Sequence, residues 1–165
     1  MSNQIIIIGA GPYGLSIAAH LRARGVGFRI FGRPMGNWRH RMPRGMLLKS
    51  EGFASNLADP GDRYTLGAFC AHEGIAYEPE GLPVSRESFI AYGTGFQQYF
   101  VPEVEERLVV ALRRSGDGFA VRLDDGEIVA ADKVILGIGI SDFAHMPPSL
   151  AGLPTEFVSH ASHHA

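Results

Sequence analysis

Cysteine is nearly missing from this sequence. Cys70 is the only one, which excludes an internal disulfide framework and a cysteine-based zinc site. Such usage fits a reduced, cytoplasmic setting. Long hydrophobic runs are missing too. The opening apolar stretch, Ile5 to Ile8, is far too short to cross a membrane, and no membrane partner is expected. The third absence concerns charge. Residues 1–50 contain eight Arg or Lys and no Asp or Glu, whereas residues 51–165 hold seven basic residues and all 17 acids. The formal net charge of −2 therefore conceals a strongly basic segment followed by a strongly acidic one. A cationic segment without compensating carboxylates suits an anionic ligand. Nucleic acid is not expected to be that anion, because no aromatic–basic motif accompanies the charge.

What is present describes a globular protein. The chain has 165 residues, 45% of them hydrophobic and 19% charged, enough for one domain with a real core. Gln4 to Ile8 reads as a buried parallel strand, β-branched on both faces. Residues 12–24 read as a helix, opened by Pro12 and stopped by Gly25, and Val26 to Phe31 as a second strand. Residues 32–61 are irregular and rich in Gly, Pro, Met and Arg, the composition of a binding loop. Helices are expected over Thr65 to Glu73 and Glu87 to Phe100, the latter weakened by Gly93 and Gly95. The period then changes to two. Glu105 to Arg113, Phe119 to Leu123 and Glu127 to Ala131, separated by glycine-containing turns, form a three-stranded antiparallel meander. Val134 to Leu136 is a further buried strand that ends in Gly137-Ile138-Gly139.

Chemistry enters at Gly9-Ala10-Gly11-Pro12-Tyr13-Gly14. This is G-x-G-x-x-G following a strand and opening a helix, the context in which the pattern is specific for a dinucleotide. Gly9 permits the tight turn, Gly11 lets the backbone approach a pyrophosphate, and Gly14 lets helix and strand pack closely. Its position so near the start also argues against a cleavable signal peptide. An acidic residue at the end of the second strand would complete the motif by holding the ribose. Here that strand ends Phe31-Gly32-Arg33, and the first acid is Glu51. Arg33 is either a ligand for a 2′-phosphate, which would mean NADP, or a solvated loop residue. The motif by itself leaves the dinucleotide unnamed.

The order of elements narrows the choice. A meander inserted after β-α-β, then a lone strand ending in glycines, resembles the FAD-binding domain of two-dinucleotide-binding flavoproteins. The similarity is greatest to flavin-containing monooxygenases and lysine/ornithine N-hydroxylase-like proteins. It rests on IIIIGAGPYGLSIAAHL at Ile5 to Leu21, GNWR at Gly36 to Arg39, and VILGIGISDFAHMPPSLAGLP at Val134 to Pro154. The resemblance implies a Rossmann-like α/β fold, with a parallel sheet, helices and the meander, incomplete at its C-terminus. It implies FAD as cofactor, NADPH or NADH as reductant in the full-length parent, and a small-molecule substrate. The alternatives are a flavin reductase or disulfide-type oxidoreductase, against which stands the missing C-x-x-C pair, and a non-catalytic nucleotide-binding module. Trp38 and Arg39 match the family's W-R pair and would lie near the cofactor. Gly137 and Gly139 match the turn that passes beside it, with Ile138 in place of the usual threonine. Lys49, Ser50, Glu51 and Asn56 fall where the family brings polar groups toward the flavin, and are candidate catalytic residues. Gly32 and Arg33 complete the candidate cofactor-binding set.

No second G-x-G-x-x-G occurs in the sequence. Residues 1–146 are therefore expected to be the N-terminal part of an FAD-binding domain. Residues 147–165 would form a connector toward an absent NAD(P)H-binding domain, and the chain alone is expected to be inactive. His160, His163 and His164 cluster in this tail without the carboxylate or thiol company of a metal site, so no metal is expected. Cys70 reads as a packed core residue. Met35, Met42 and Met46 suit either core gap-filling or a pocket wall.

Overall fold

The computed structural model describes residues 4–160. Strand β1 (Ile5–Ile8) leads into helix α1 (Pro12–Ala23), which returns to β2 (Phe28–Phe31). Pro12 occupies the first turn, where its missing N–H costs nothing. Gly25 ends the helix with φ 67°; its N–H donates to Arg22 O and the Val26 N–H to Leu21 O. That is a Schellman cap. Val26 is used by the cap, so β2 starts two residues later than its sequence suggests.

β1 lies in the middle of a parallel sheet ordered β2-β1-β6, where β6 is Lys133–Leu136. The meander forms a second sheet of β3 (Val109–Ser115), β4 (Gly118–Leu123) and β5 (Ile128–Ala131). Side chains of β1 alternate between two cores. Ile7 packs with Leu15, Ala18 and Ile30 on the helical side, while Ile6 and Ile8 join Phe31 against Val121, Leu123 and Val129 of the meander.

The meander is shorter at its start than the periodicity suggests. Glu105 pairs with Phe31 of β2 as an isolated parallel bridge, not with β4. Its N–H donates to Ile30 O, and its carbonyl accepts from the Gly32 N–H, both at 3.0 Å. The Arg29 guanidinium clasps the Glu105 carboxylate with two bonds of 2.7 Å. Ion pairing outcompetes the meander for this residue.

Residues 32–61 are not wholly irregular. They contain a short helix, α2 (Gly36–His40), and a 3₁₀ turn at Gly52–Ala54. The loop is pinned through the Leu47–Ser85 bridge and by the Leu48 N–H donating to Val84 O. Helix α3 (Leu66–Glu73) is capped by the Thr65 hydroxyl, which accepts from the Ala68 N–H at 3.1 Å. Helix α4 (Arg86–Phe100) is capped in the same way by Ser85, and packs on both α1 and α3. Its two glycines have a packing role that offsets their low helix propensity. A Cβ at Gly93 would overlap the Met35 side chain, and one at Gly95 the Tyr64 hydroxyl. Met35 is thus a fully buried core residue. Among the described residues no helix is long and apolar enough to cross a membrane, and no group of metal-ligating side chains converges.

Candidate functional site

The C-terminal ends of β1, β2 and β6 carry Gly9, Gly32 and Gly137, and these three glycines pack backbone to backbone. Gly9 has φ 109°, and a Cβ on it would overlap the Gly137 carbonyl. Its N–H donates to Phe31 O at 2.7 Å, closing the turn against β2, and the Gly137 N–H donates to Ile8 O at 2.7 Å. A Cβ at Gly14 would overlap the Gly9 carbonyl, so the first turn of α1 sits directly on the end of β1. Gly11 differs from all of these. It is the N-cap of α1, and nothing lies within 4 Å of where its Cβ would be. The open space at Gly11 is where an anion can approach. The N–H groups of Tyr13 and Gly14 belong to the unpaired first turn of the helix, whose dipole favours negative charge there. Ala10 is buried and Tyr13 is 80% exposed. The cradle fits a pyrophosphate, and filling Gly11 would block it.

The end of β2 is remodelled around Gly32. With φ 138° and a Cβ that would press on the Ala10 amide at 3.0 Å, this position strains any residue except glycine. An acidic side chain has no place there. Arg33, next in sequence, is exposed and has no carboxylate partner among the described residues.

Helix α2 forms the wall beside this turn. The Met35 N–H donates to Ala10 O at 3.0 Å, which ties the start of α2 to the glycine loop. Trp38 is half-buried and meets the Phe89 ring edge-on at 4.5 Å, and Arg39 donates to the Thr94 hydroxyl at 2.7 Å. Asn37 reaches across to the segment after β6, where its side-chain amide donates to Ile138 O at 3.4 Å. Gly139, with φ 70°, lies beside that amide, so a side chain there would crowd Asn37. Arg41 forms an ion pair with Asp142. The W-R segment and the Gly137–Gly139 turn, far apart in sequence, are strapped together.

Three of the four polar loop residues are engaged with protein groups outside the candidate set. Ser50 Oγ shares a hydrogen bond with Ser55 Oγ at 2.8 Å, and Glu51 accepts from the Gly81 N–H at 2.9 Å. Asn56 donates to Phe53 O and accepts from the Leu66 N–H, holding the entry to α3. Lys49 is exposed, without a carboxylate partner among the described residues. An open groove of about 740 Å³ lies elsewhere, between α3 and α4, lined by Tyr64, Phe69, Glu73, Glu87 and Tyr99. It shares only Arg39 with the candidate set. Of the histidines, His163 and His164 lie outside the described residues.

Sequence reasoning missed Arg86, Asn37 and Glu105, the residues that hold α2 and the end of β2 in place. Each acts across 47 to 101 residues of sequence, and no local pattern reports such a contact.

No family model matches the chain. It is 30% identical over 145 residues to the indole-3-pyruvate monooxygenase YUCCA1 of Oryza sativa subsp. japonica, covering 81% of this chain and 31% of that protein. It is 25% identical over 147 residues to the rifampicin monooxygenase of Streptomyces venezuelae, covering 80% and 31%. Among solved structures, the flavin-containing monooxygenase from Stenotrophomonas maltophilia superposes with a TM-score of 0.69 at 23% identity, over 87% of this chain and 40% of that one. The chain thus spans about a third of the length of the curated relatives it matches. In sequence the chain is similar to one stretch of these monooxygenases, and it shares its fold with one part of a flavin-containing monooxygenase.

Proposed function

We propose that the chain binds FAD through the Gly9–Gly14 turn, as the FAD-binding part of an NAD(P)H-dependent, monooxygenase-like oxidoreductase. The observation that carries this reading is the division of labour among the glycines. Gly9, Gly14 and Gly137 are packed against backbone, while Gly11 alone opens a space in front of the α1 N-terminus. The relatives support it, being named as monooxygenases of indole-3-pyruvate and of rifampicin. Bound FAD would supply the redox chemistry, by which NADPH or NADH and dioxygen give one oxygen atom to a small nucleophilic substrate and the other to water.

The protein's own part is to bind, orient and shield. The Tyr13 and Gly14 amides meet the pyrophosphate, Gly32 keeps the end of β2 flat against the glycine loop, and Trp38 and Arg39 form a side wall. Ser50, Glu51 and Asn56 shape the facing loop, and Lys49 offers a cation there. Residues 1–146 serve as the cofactor domain, and residues 147–165 as the connector toward the NAD(P)H-binding domain of a cytoplasmic parent enzyme.

The test is reconstitution of the purified chain with FAD, read by its visible absorption and by quenching of flavin fluorescence. A saturable 1:1 complex is expected. Tighter binding of NADP than of FAD would assign Arg33 to a 2′-phosphate and overturn the proposal.

A further inference from the structure

Arg86 opens α4 and is 8% exposed, a rare burial for a guanidinium. Its bonds explain the burial. Nε donates to Trp38 O and Nη2 to Arg39 O, both at 2.7 Å, and Nη1 donates to Glu87 Oε1 at 2.9 Å. Its backbone N–H donates to Met46 O at 2.9 Å. A five-residue helix such as α2 leaves its last carbonyls without helical partners. Arg86 supplies two of the missing donors from a single planar fork, which a lysine cannot imitate.

The same face of α4 grips α2 twice more. Gly93 makes the hollow that receives Met35, and the Thr94 hydroxyl accepts from Arg39. Met35 is joined in turn to the glycine loop through its N–H to Ala10 O. α2 is therefore suspended between the dinucleotide turn and α4, with Arg86 at the end farther along the chain.

We propose that Arg86 is a positioning residue for the cofactor site, holding Trp38 and Arg39 in register with the Gly9–Gly14 turn from outside that turn. The proposal rests on the FAD reading above. It differs from that reading in naming a residue beyond the glycine motif and the W-R pair.

Trp38 is the only tryptophan of the chain, so its emission reports on α2 with or without cofactor. The experiment compares the parent chain with Arg86→Lys and Arg86→Met. Far-UV circular dichroism monitors the fold, acrylamide quenching monitors Trp38, and titration with FAD gives affinity. In both variants the fold is expected to remain, quenching of Trp38 to rise about twofold, and FAD affinity to fall about tenfold or more as the two carbonyls lose the planar fork that served both at once. Arg86→Lys should recover thermal stability better than it recovers FAD affinity. Folded variants with the parent's FAD affinity overturn the proposal, whatever Trp38 does. A parent chain that takes up no FAD overturns the function itself, a separate result visible before any variant is made. If both Arg86 variants fail to fold, Thr94→Val removes another α4 grip on α2. Unchanged Trp38 quenching and unchanged FAD affinity there would overturn positioning by α4 as well.

Discussion

At Gly14 a side chain would collide with the Gly9 carbonyl, whereas at Gly11 it would enter open space. The two substitutions should therefore fail differently. Gly11→Val is expected to keep its thermal transition and lose FAD binding by at least about tenfold, since the β-branched group occupies the phosphate approach. Gly14→Val should lower the transition temperature strongly or prevent folding, because backbone must move. Calorimetry paired with FAD titration separates these outcomes, and a Gly11→Val protein that binds normally would remove the pyrophosphate assignment. Tyr92 gives a second prediction at this scale. Its fully buried hydroxyl donates to Tyr64 O at 2.7 Å and accepts from the Leu57 N–H at 3.0 Å, and burial pushes the phenol well above its ordinary pKa. Tyr92→Phe orphans that N–H and should cost about 1–3 kcal/mol in denaturant unfolding. The tight turn at Gly9 and the close packing at Gly14 were legible because a fixed backbone geometry leaves a fixed spacing. Arg86 was not, since its partners are carbonyl oxygens that every residue possesses.

Among the elements, those with local signals and the apolar strand β6 were read correctly, whereas the short helix α2 and the Glu105 bridge to β2, both held by tertiary contacts, were not. α1, α3 and α4 carry their own caps and breakers, and the meander carries its turns. α2 spans only five residues, and long-range bonds hold it, so no periodicity betrays it. Glu105 was assigned to the meander on pattern, although its carboxylate is claimed by Arg29 on the other sheet. That contact makes the docking of the segment to β2 acid-sensitive. The two Arg29 bonds hold the Glu105 carboxyl below the usual carboxylate range, with Arg107 assisting. Because the folded pKa is depressed, the stabilisation is complete above the unfolded value near ~4.3 and disappears as pH falls through the folded value. Glu105→Gln should lower stability by about 1 kcal/mol at pH 7, the pair being partly exposed. The gap between parent and variant should close toward pH 3. Thermal melts across that range measure it, and a gap independent of pH would show that the carboxylate's charge is not what docks the segment.

For the molecule as a whole, the split in charge turns out to serve the fold as much as any ligand. Arg22, Arg29 and Arg41 of the basic segment form ion pairs with Glu103, Glu105 and Asp142 of the acidic one. What remains around α2 and its loop, Arg33, Arg39, Arg44 and Lys49, is too sparse for a polyanion track. Duplex DNA should therefore bind only weakly at physiological salt, and sub-micromolar affinity there would make nucleic acid the better account of the basic segment. A further expectation concerns turnover. Hydride transfer needs the nicotinamide held against the flavin, and the sequence contains a single G-x-G-x-x-G. With excess FAD, the 165-residue chain should oxidise NADPH no faster than free flavin does. A faster rate, saturable in NADPH, would show that this chain already holds a complete active site.

The place of β1 in its sheet also sets the order in which the protein can be made. Its neighbours are β2, about twenty residues away, and β6, whose partner residues lie 128 positions downstream. Ile6 and Ile7, now wholly buried, have no second neighbour until residue 136 has been synthesised. At about 5–20 residues per second, that interval lasts roughly 6–26 s. The meander, by contrast, closes through hairpins only a few residues long and can assemble as it emerges. Ribosome-bound chains should gain their protease resistance late and abruptly, when β6 arrives, with the most apolar segment of the protein waiting longest for its cover.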